Sequence, residues 1–221
     1  EKLGCQVVNA FGSGEGVHIT NRLGDPVEVV ANTVGKPCCD VDEIKIVNDY
    51  GKEVPMETEG EIIARGPHIF RGYYKNPEEN ARVLDKDGFF YTGDLGMLRK
   101  DGNIAITGRK KDMLLRGGEN ISAVEVEELL LSHPDILQAA VVGMPDPRMG
   151  ERVCAYIIPR EGKKLILEEV VTFLKTKGVA LFKLPERLEL VKDFPLTNIG
   201  KVSKKDLRDD IARKLKAEGK I

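Results

Sequence analysis

The sequence predicts an α+β protein in which a small, mostly antiparallel β-subdomain precedes a compact α+β domain. The first half contains short apolar stretches separated by turn residues, glycine and proline, a pattern typical of short strands. The second half mixes apolar residues at helical spacing with continuous apolar runs that read as buried strands. The pattern changes within the short polar stretch 107–112, so the predicted domains are residues 1–110 and 111–221.

Four short strands are predicted in the first half. They are centred on residues 43–47, 60–64, 88–91 and 103–106. A polar turn separates the first two, and an Asp-Gly pair introduces the last. Strands of this length, joined by turns, favour a small antiparallel sheet or barrel.

Three helices and two strands are predicted in the second half. Two of the helices begin with a capping box, in which a serine is followed three residues later by an acid: Ser122 with Glu125, and Ser203 with Asp206. A helix over 168–177 lies between them in sequence and ends before Gly178. The predicted helices and the buried strands at 139–142 and 153–158 form a domain of ordinary size.

The composition excludes several classes of function. The chain has 221 residues, 41% of them hydrophobic, and a net charge of −2. Near-neutral charge gives no general attraction to nucleic acid or to an anionic membrane. No apolar run approaches the roughly 20 residues of a membrane span, and no signal peptide is evident. The four cysteines contain no CxxC, and no histidine pair has metal-ligand spacing, so we predict reduced thiols in a cytoplasmic protein without a zinc site.

Four segments are candidates for a functional site: the glycine-rich 11–16 (FGSGEG), 91–94 (YTGD), 108–127 and 195–205. Each also has a purely structural interpretation, because glycine-rich turns, Asx turns and solvated lysines are common. The third segment reads as a basic cluster followed by a glycine pair and a capped helix, and its structural interpretation is a hairpin. In the last segment, Lys201 precedes a helix amino terminus, where anionic charge is favoured.

In this order the motifs resemble the adenylate-forming superfamily, which contains acyl-CoA synthetases, peptide-synthetase adenylation domains and firefly luciferase. The resemblance rests on Phe-Gly-x-x-Glu, Tyr-Thr-Gly-Asp, Gly-Arg-x-Lys-Asp-x-x-x-x-Gly-Gly-Glu and Pro-x-Thr-x-x-Gly-Lys-Val, and it covers essentially the whole chain. Within the superfamily the chain looks most like stand-alone aryl acid–AMP ligases, especially those that activate dihydroxybenzoate. Gly14 departs from the threonine usual before the motif glutamate, which we interpret as a character of this subgroup.

The resemblance implies a role for each matching residue. The implied nucleotide-binding residues are Phe11, Gly12, Asp94 and Arg109, with Phe11 against adenine and the last two at the ribose hydroxyls. Glu15 would ligate Mg²⁺, and Lys201 would be the catalytic lysine of adenylation. Lys111 would be the hinge between two half-reactions, and Gly117 with Gly118 would line the channel for the thiol.

The implied activity is ATP-dependent ligation of a small carboxylic acid, and the resemblance to aryl acid–AMP ligases implies an aryl acid. Acyl-AMP forms first, and the acyl group then passes to the thiol of CoA or of carrier-protein phosphopantetheine. The chain opens on Glu1 in what reads as the approach to a strand, and it lacks the family's upstream phosphate loop. We therefore expect it to be the carboxyl-terminal part of a longer enzyme, with residues 1–110 ending the large domain, and to be inactive alone.

Two rival interpretations stay open. One is a non-catalytic binding module, which suits a chain without the upstream half of the site. The other is a dinucleotide-dependent oxidoreductase, because Gly12, Gly14 and Gly16 follow an apolar run. That rival requires a helix after the glycines and a parallel sheet, whereas the downstream sequence is rich in strands.

Overall fold

The computed structural model describes residues 4–221. The chain divides into two compact units, one ending at Lys110 and the other beginning at Lys111. Each unit has its own hydrophobic core. None of the helices in residues 4–221 is long and apolar enough to cross a bilayer.

The first unit begins with a three-stranded antiparallel sheet. Its strands, in the order β1-β2-β3, are β1 (Ala10–Gly12), β2 (His18–Thr20) and β3 (Lys36–Pro37). The glycine-rich segment forms the connection between β1 and β2, where the amide of Ser13 donates to the carbonyl of Val17 over 3.0 Å. A short helix, α1 (Val27–Asn32), joins β2 to β3. The glycines therefore join two antiparallel strands, which contradicts the strand–helix unit of a dinucleotide-binding fold.

A four-stranded antiparallel sheet completes the first unit. The strands are β4 (Glu43–Val47), β5 (Gly60–Arg65), β6 (Phe90–Leu98) and β7 (Ile104–Arg109), paired in that order. All four predicted strands are present, but the third was predicted to end at residue 91 and in fact continues to Leu98. Register shifts on both sides of β6 let the strand pass through the Thr-Gly-Asp motif without ending.

A second short helix, α2 (Pro77–Val83), lies between β5 and β6. The side chain of Asn76 caps it by accepting from the amide of Glu79 over 3.2 Å, and Pro77 occupies its first turn. Neither α1 nor α2 was predicted, because helices of six and seven residues are too short to show a helical apolar period.

The second unit is a five-stranded sheet covered by helices on both faces. Four strands follow the order β10-β11-β8-β9, and β12 pairs in parallel with β11. The strands are β8 (Met113–Arg116), β9 (Glu119–Ser122), β10 (Ile136–Asp146), β11 (Gly150–Pro159) and β12 (Arg187–Leu190). The helices are α3 (Ala123–Leu131), α4 (Leu167–Thr176) and α5 (Lys204–Ala217).

Alternate residues of β11 pack into two separate cores. Val153, Ala155 and Ile157 belong to the cluster that includes Val126 of α3 and Leu174 of α4. Between them, Cys154 and Tyr156 belong to the cluster beneath α5, with the apolar residues Leu207, Ile211 and Leu215. A strand buried on both faces reads as an unbroken apolar run, which is the pattern seen in the sequence.

The predicted helix caps are present at α3 and α5. The Ser122 hydroxyl accepts from the amide of Glu125 over 3.3 Å, and the Ser203 hydroxyl accepts from the amide of Asp206 over 3.4 Å. The mixed α+β class predicted from sequence, with antiparallel sheets, is thus confirmed.

Replacing Ile211 by alanine is expected to destabilise the second unit. The side chain is fully buried between α5 and the sheet, so truncation leaves a cavity and costs about 2–5 kcal/mol of unfolding free energy. Urea denaturation followed by circular dichroism measures this. Ile199→Ala is the matched control, since Ile199 is 78% exposed and its truncation should cost less than about 0.5 kcal/mol. Equal losses for the two variants would contradict the packing described.

Candidate functional site

The glycine-rich turn holds Glu15 close to a loop that follows β5. A β-carbon on Gly16 would lie 1.9 Å from the carbonyl oxygen of His68, so only glycine permits this approach. The amide of Phe70 donates to the Glu15 carbonyl over 2.8 Å. Phe11 is half-buried in β1, and Gly12 ends that strand. These backbone contacts therefore fix the position of the Glu15 Cα atom, from which the side chain extends.

The Glu15 carboxylate is held ionised by its neighbours. Burial raises the pKa of this carboxyl, but hydrogen bonds outweigh burial, chiefly the one from the Tyr73 hydroxyl 2.8 Å away, and the charge of Arg109 makes a smaller contribution. The net pKa of Glu15 therefore lies below its usual range. Burial and the same hydrogen bond raise the pKa of Tyr73 to about 12, so its hydroxyl stays a donor.

Asp94 and Arg109 face each other across β6 and β7. They are directly opposed in register, and the guanidinium of Arg109 contacts both carboxylate oxygens, at 2.5 Å from Nε to Oδ1 and 3.5 Å from Nη2 to Oδ2. The Asp94 side chain is 10% exposed. A two-point contact fixes the plane of a carboxylate, so Asp94 is oriented before any ligand arrives. The two residues implied at the ribose are thus brought together.

The buried carboxylate of Glu61 contacts the residues next to this pair, Gly93 and Lys110. Its Oε1 accepts from the amide of Gly93 over 2.9 Å, and its Oε2 lies 2.8 Å from Lys110 Nζ. Lys110 also contacts Asp49 over 2.9 Å. Burial lowers the pKa of the Lys110 ammonium, but its hydrogen bonds to the two carboxylates outweigh burial, and the net pKa is raised. Glu61 therefore fixes both the backbone of β6 directly before Asp94 and the last residue of the unit.

Lys111, the implied hinge, lies in a single 3₁₀ turn over Lys110–Asp112. On the side of the second unit, the carboxylate of Asp112 lies 3.3 Å from the guanidinium of Arg208 in α5. On the other side, Lys110 is held by Glu61. Each neighbour of Lys111 is thus tethered within its own unit.

Gly117 and Gly118 form the turn of the β8–β9 hairpin. Their φ angles of 59° and 92° lie in the left-handed region, as a two-residue type I′ turn requires. The amide of Gly117 donates to the carbonyl of Met149 over 2.8 Å, and a β-carbon on Gly117 would lie 2.5 Å from the Met149 methyl. The hairpin offered as the structural interpretation of this segment is present, and it presents the glycine pair at its tip.

Lys201 is exposed in a tight turn just before α5. The amide of Thr197 donates to the Lys201 carbonyl over 2.7 Å, and the Lys201 amide donates to the Thr197 hydroxyl over 3.2 Å. Leu196 and Val202 form a β-bridge that closes the turn. The lysine is therefore carried by an ordered turn rather than by an unstructured tail.

Three residues of the site were missed by the sequence reasoning. Each acts through a contact with a residue distant in sequence. Tyr73 contacts Glu15, 58 residues away; Glu61 contacts Lys110, 49 residues away; and Arg208 contacts Asp112, 96 residues away. The one signal available was Glu61, an acid directly before the apolar residues Ile62, Ile63 and Ala64, where burial is costly for a carboxylate unless it is paired.

Two family models match the chain. The model for the AMP-binding enzyme matches residues 1–74, and the model for the AMP-binding enzyme C-terminal domain matches residues 125–201. The chain belongs to the adenylate-forming superfamily.

Curated relatives point the same way. Over 97% of its length, the chain is 47% identical to pyochelin synthase PchD of Pseudomonas aeruginosa and 45% identical to the 2,3-dihydroxybenzoate-AMP ligase of Bacillus subtilis. These matches cover 39% and 40% of the two relatives, so the chain spans about two fifths of their length.

Solved structures share the fold. The o-succinylbenzoate CoA synthetase of Bacillus subtilis, in complex with its acyl-adenylate intermediate, matches with a TM-score of 0.83 and 30% identity, over 94% of this chain and 42% of that chain. ATP-bound MatB from Rhodopseudomonas palustris gives a TM-score of 0.88 and 31% identity, over 95% and 41% of the two chains.

Replacing Tyr73 by phenylalanine is expected to raise the pKa of Glu15 towards its usual value of 4.5, because the ionised carboxylate loses a donor. The hydrogen bond stabilises the fold at pH values above the pKa that Glu15 has in the unfolded chain. This stabilisation is lost as the pH falls through the lower pKa that Glu15 has in the folded protein. An NMR titration of ¹³C-labelled glutamate carboxyls measures the shift. Tyr74→Phe is the control, since Tyr74 is 86% exposed. An unchanged Glu15 titration in Tyr73→Phe would contradict the assignment.

Proposed function

We propose that this chain is part of an ATP-dependent carboxylic acid ligase that forms an acyl-AMP and then a thioester. The observation that supports it most strongly is the Asp94–Arg109 pair, a carboxylate pre-oriented within β6 in a chain that matches the family model for AMP-binding enzymes. The similarity to a relative named 2,3-dihydroxybenzoate-AMP ligase favours an aryl acid as substrate.

The first half-reaction brings two anions together. The substrate carboxylate attacks the α-phosphorus of ATP, the bond to the β-phosphate oxygen breaks, and pyrophosphate leaves. Positive charge must therefore be supplied where negative charge develops. We assign this role to Lys201, which the turn before α5 presents in an exposed position. Asp94 accepts hydrogen bonds from the ribose hydroxyls, and Phe11 packs against the adenine.

The Glu15 carboxylate suits a magnesium ion. It is a hard oxygen donor, its lowered pKa keeps it ionised, and Tyr73 fixes its orientation. A magnesium ion there would neutralise charge on the phosphates. The side chains present therefore fit the ion that the family implies.

In the second half-reaction, a thiol attacks the acyl carbonyl and AMP leaves. We propose that the second unit rotates about Lys111 between the two half-reactions, withdrawing Lys201 and presenting Gly117 and Gly118 to the thiol. The ion pairs of Lys110 and Asp112 support this role, because each holds a neighbour of Lys111 within its own unit and Lys111 lies between them. The acceptor is CoA or a carrier-protein phosphopantetheine, and the enzyme acts in the cytoplasm.

ATP–pyrophosphate exchange with a panel of aryl and fatty acids tests the proposed activity in the full polypeptide. Exchange that depends on one aryl acid supports the proposal. Exchange with none of the acids, by a protein that is folded and binds ATP, would contradict it.

Lys201→Ala is expected to lower acyl-AMP formation by about 10²–10³-fold, the effect of removing one preorganised stabiliser of developing charge. Thioester formation from preformed acyl-AMP should be spared. Pyrophosphate exchange and single-turnover thioesterification measure the two steps. Lys205→Ala, at an exposed lysine four residues on, should change neither. Equal loss of both steps in Lys201→Ala would contradict the assignment.

Lys111→Pro is expected to preserve adenylation and block thioester formation, because proline fixes φ at the proposed pivot. Lys111→Ala is the control: it removes the side chain but leaves the backbone free, so both steps should proceed. Normal thioester output from the proline variant would refute the hinge.

A further inference from the structure

A second group of metal-binding side chains lies in the first unit, apart from Glu15. Cys39, Asp42 and His68 each offer one ligand atom, and these atoms lie within 4.8 Å of one another. Cys39 and Asp42 belong to the loop between β3 and β4, and His68 belongs to the loop after β5. Nearly thirty residues separate the histidine from the cysteine in sequence, so local spacing gave no sign of the group.

The Asp42 carboxylate is the unusual member of this group. Its side chain is only 4% exposed, and its Oδ1 has no hydrogen-bond partner among the described residues. Its Oδ2 lies 3.2 Å from His68 Nδ1. A buried carboxylate with so little compensation is costly unless a cation is close to it. Gly66 makes room for the group, since a β-carbon there would lie 2.0 Å from Oδ1.

We propose that Cys39, Asp42 and His68 form a binding site for a divalent transition-metal ion of the Zn²⁺ class. One sulfur, one imidazole nitrogen and one carboxylate oxygen suit Zn²⁺ and Co²⁺, whereas Mg²⁺ and Ca²⁺ prefer oxygen ligands alone. Three protein ligands leave a fourth position for water. Binding converts the Cys39 thiol to a metal-bound thiolate and releases its proton to solvent.

Occupation of this site would brace the loop that supports Glu15. The His68 carbonyl lies against Gly16, and two residues further on the Phe70 amide donates to the Glu15 carbonyl. An ion that joins His68 to the β3–β4 loop therefore restrains the backbone behind Glu15. The role is structural and is independent of whether the proposed ligase activity is correct.

Titration of the purified protein with Co²⁺ tests the site. A near-ultraviolet thiolate-to-cobalt band is expected to saturate at one ion per chain, to disappear on adding Zn²⁺, and to persist in excess Mg²⁺. Cys39→Ser should abolish the band. His68→Gln should weaken Co²⁺ affinity by at least about 10–100-fold, because losses of that size follow even from mutating residues that only hydrogen-bond to a metal ligand. Zn²⁺ should raise the melting temperature of the parent protein but not that of Cys39→Ser.

Cys38→Ser is the matched control, because Cys38 is exposed and adjacent to Cys39 but outside the group. It should keep both the band and the affinity. Circular dichroism shows whether each variant is folded, and the conservative changes at exposed or half-buried positions are chosen to preserve folding. The absence of a thiolate band in the parent protein, an undiminished band in Cys39→Ser, or its loss in Cys38→Ser would each overturn the proposal.

Discussion

The buried carboxylate of Glu61 is the interaction on which the first unit's functional end depends. A buried carboxylate requires compensation, and Glu61 receives a hydrogen bond from the Gly93 amide and an ion pair from the Lys110 ammonium. The first contact shapes the backbone that leads into Asp94. The second holds the last residue of the unit. One side chain therefore couples the position of the proposed ribose-binding carboxylate to the point at which the chain leaves the unit.

Charge in this protein is organised locally. The net charge is −2, yet Asp94 pairs with Arg109, Glu61 pairs with Lys110, and the charge of Arg109 also lowers the pKa of Glu15. Each pair orients a group that would otherwise select among many rotamers. Preorganised charges of this kind are what a reaction between two anions needs, because they stabilise developing charge without rearranging.

The sequence predicted the parts of the fold that have a strong period and missed those that depend on distant contacts. The helices capped by Ser122 and Ser203 and the doubly buried β11 were visible because caps and apolar runs are local signals. The short helices α1 and α2 and the continuation of β6 were not, because a six-residue helix has no period and a bulge has no sequence signature here. Motif order located Glu15, Asp94 and Arg109. The contacts of Tyr73 with Glu15 and of Glu61 with Gly93 and Lys110 became visible only in three dimensions.

We propose Lys111 as the pivot because Glu61 pairs with Lys110 on one side of it and Arg208 pairs with Asp112 on the other. The most direct measurement is double electron–electron resonance between nitroxides placed at exposed Tyr50 and Leu181 through unnatural amino acids, in the full polypeptide. We predict two discrete distances, one with ATP and acid and the other with an acyl-AMP analogue and thiol, and a broadened distribution in Glu61→Gln. One unchanged distance distribution in both states and in the variant would contradict the account.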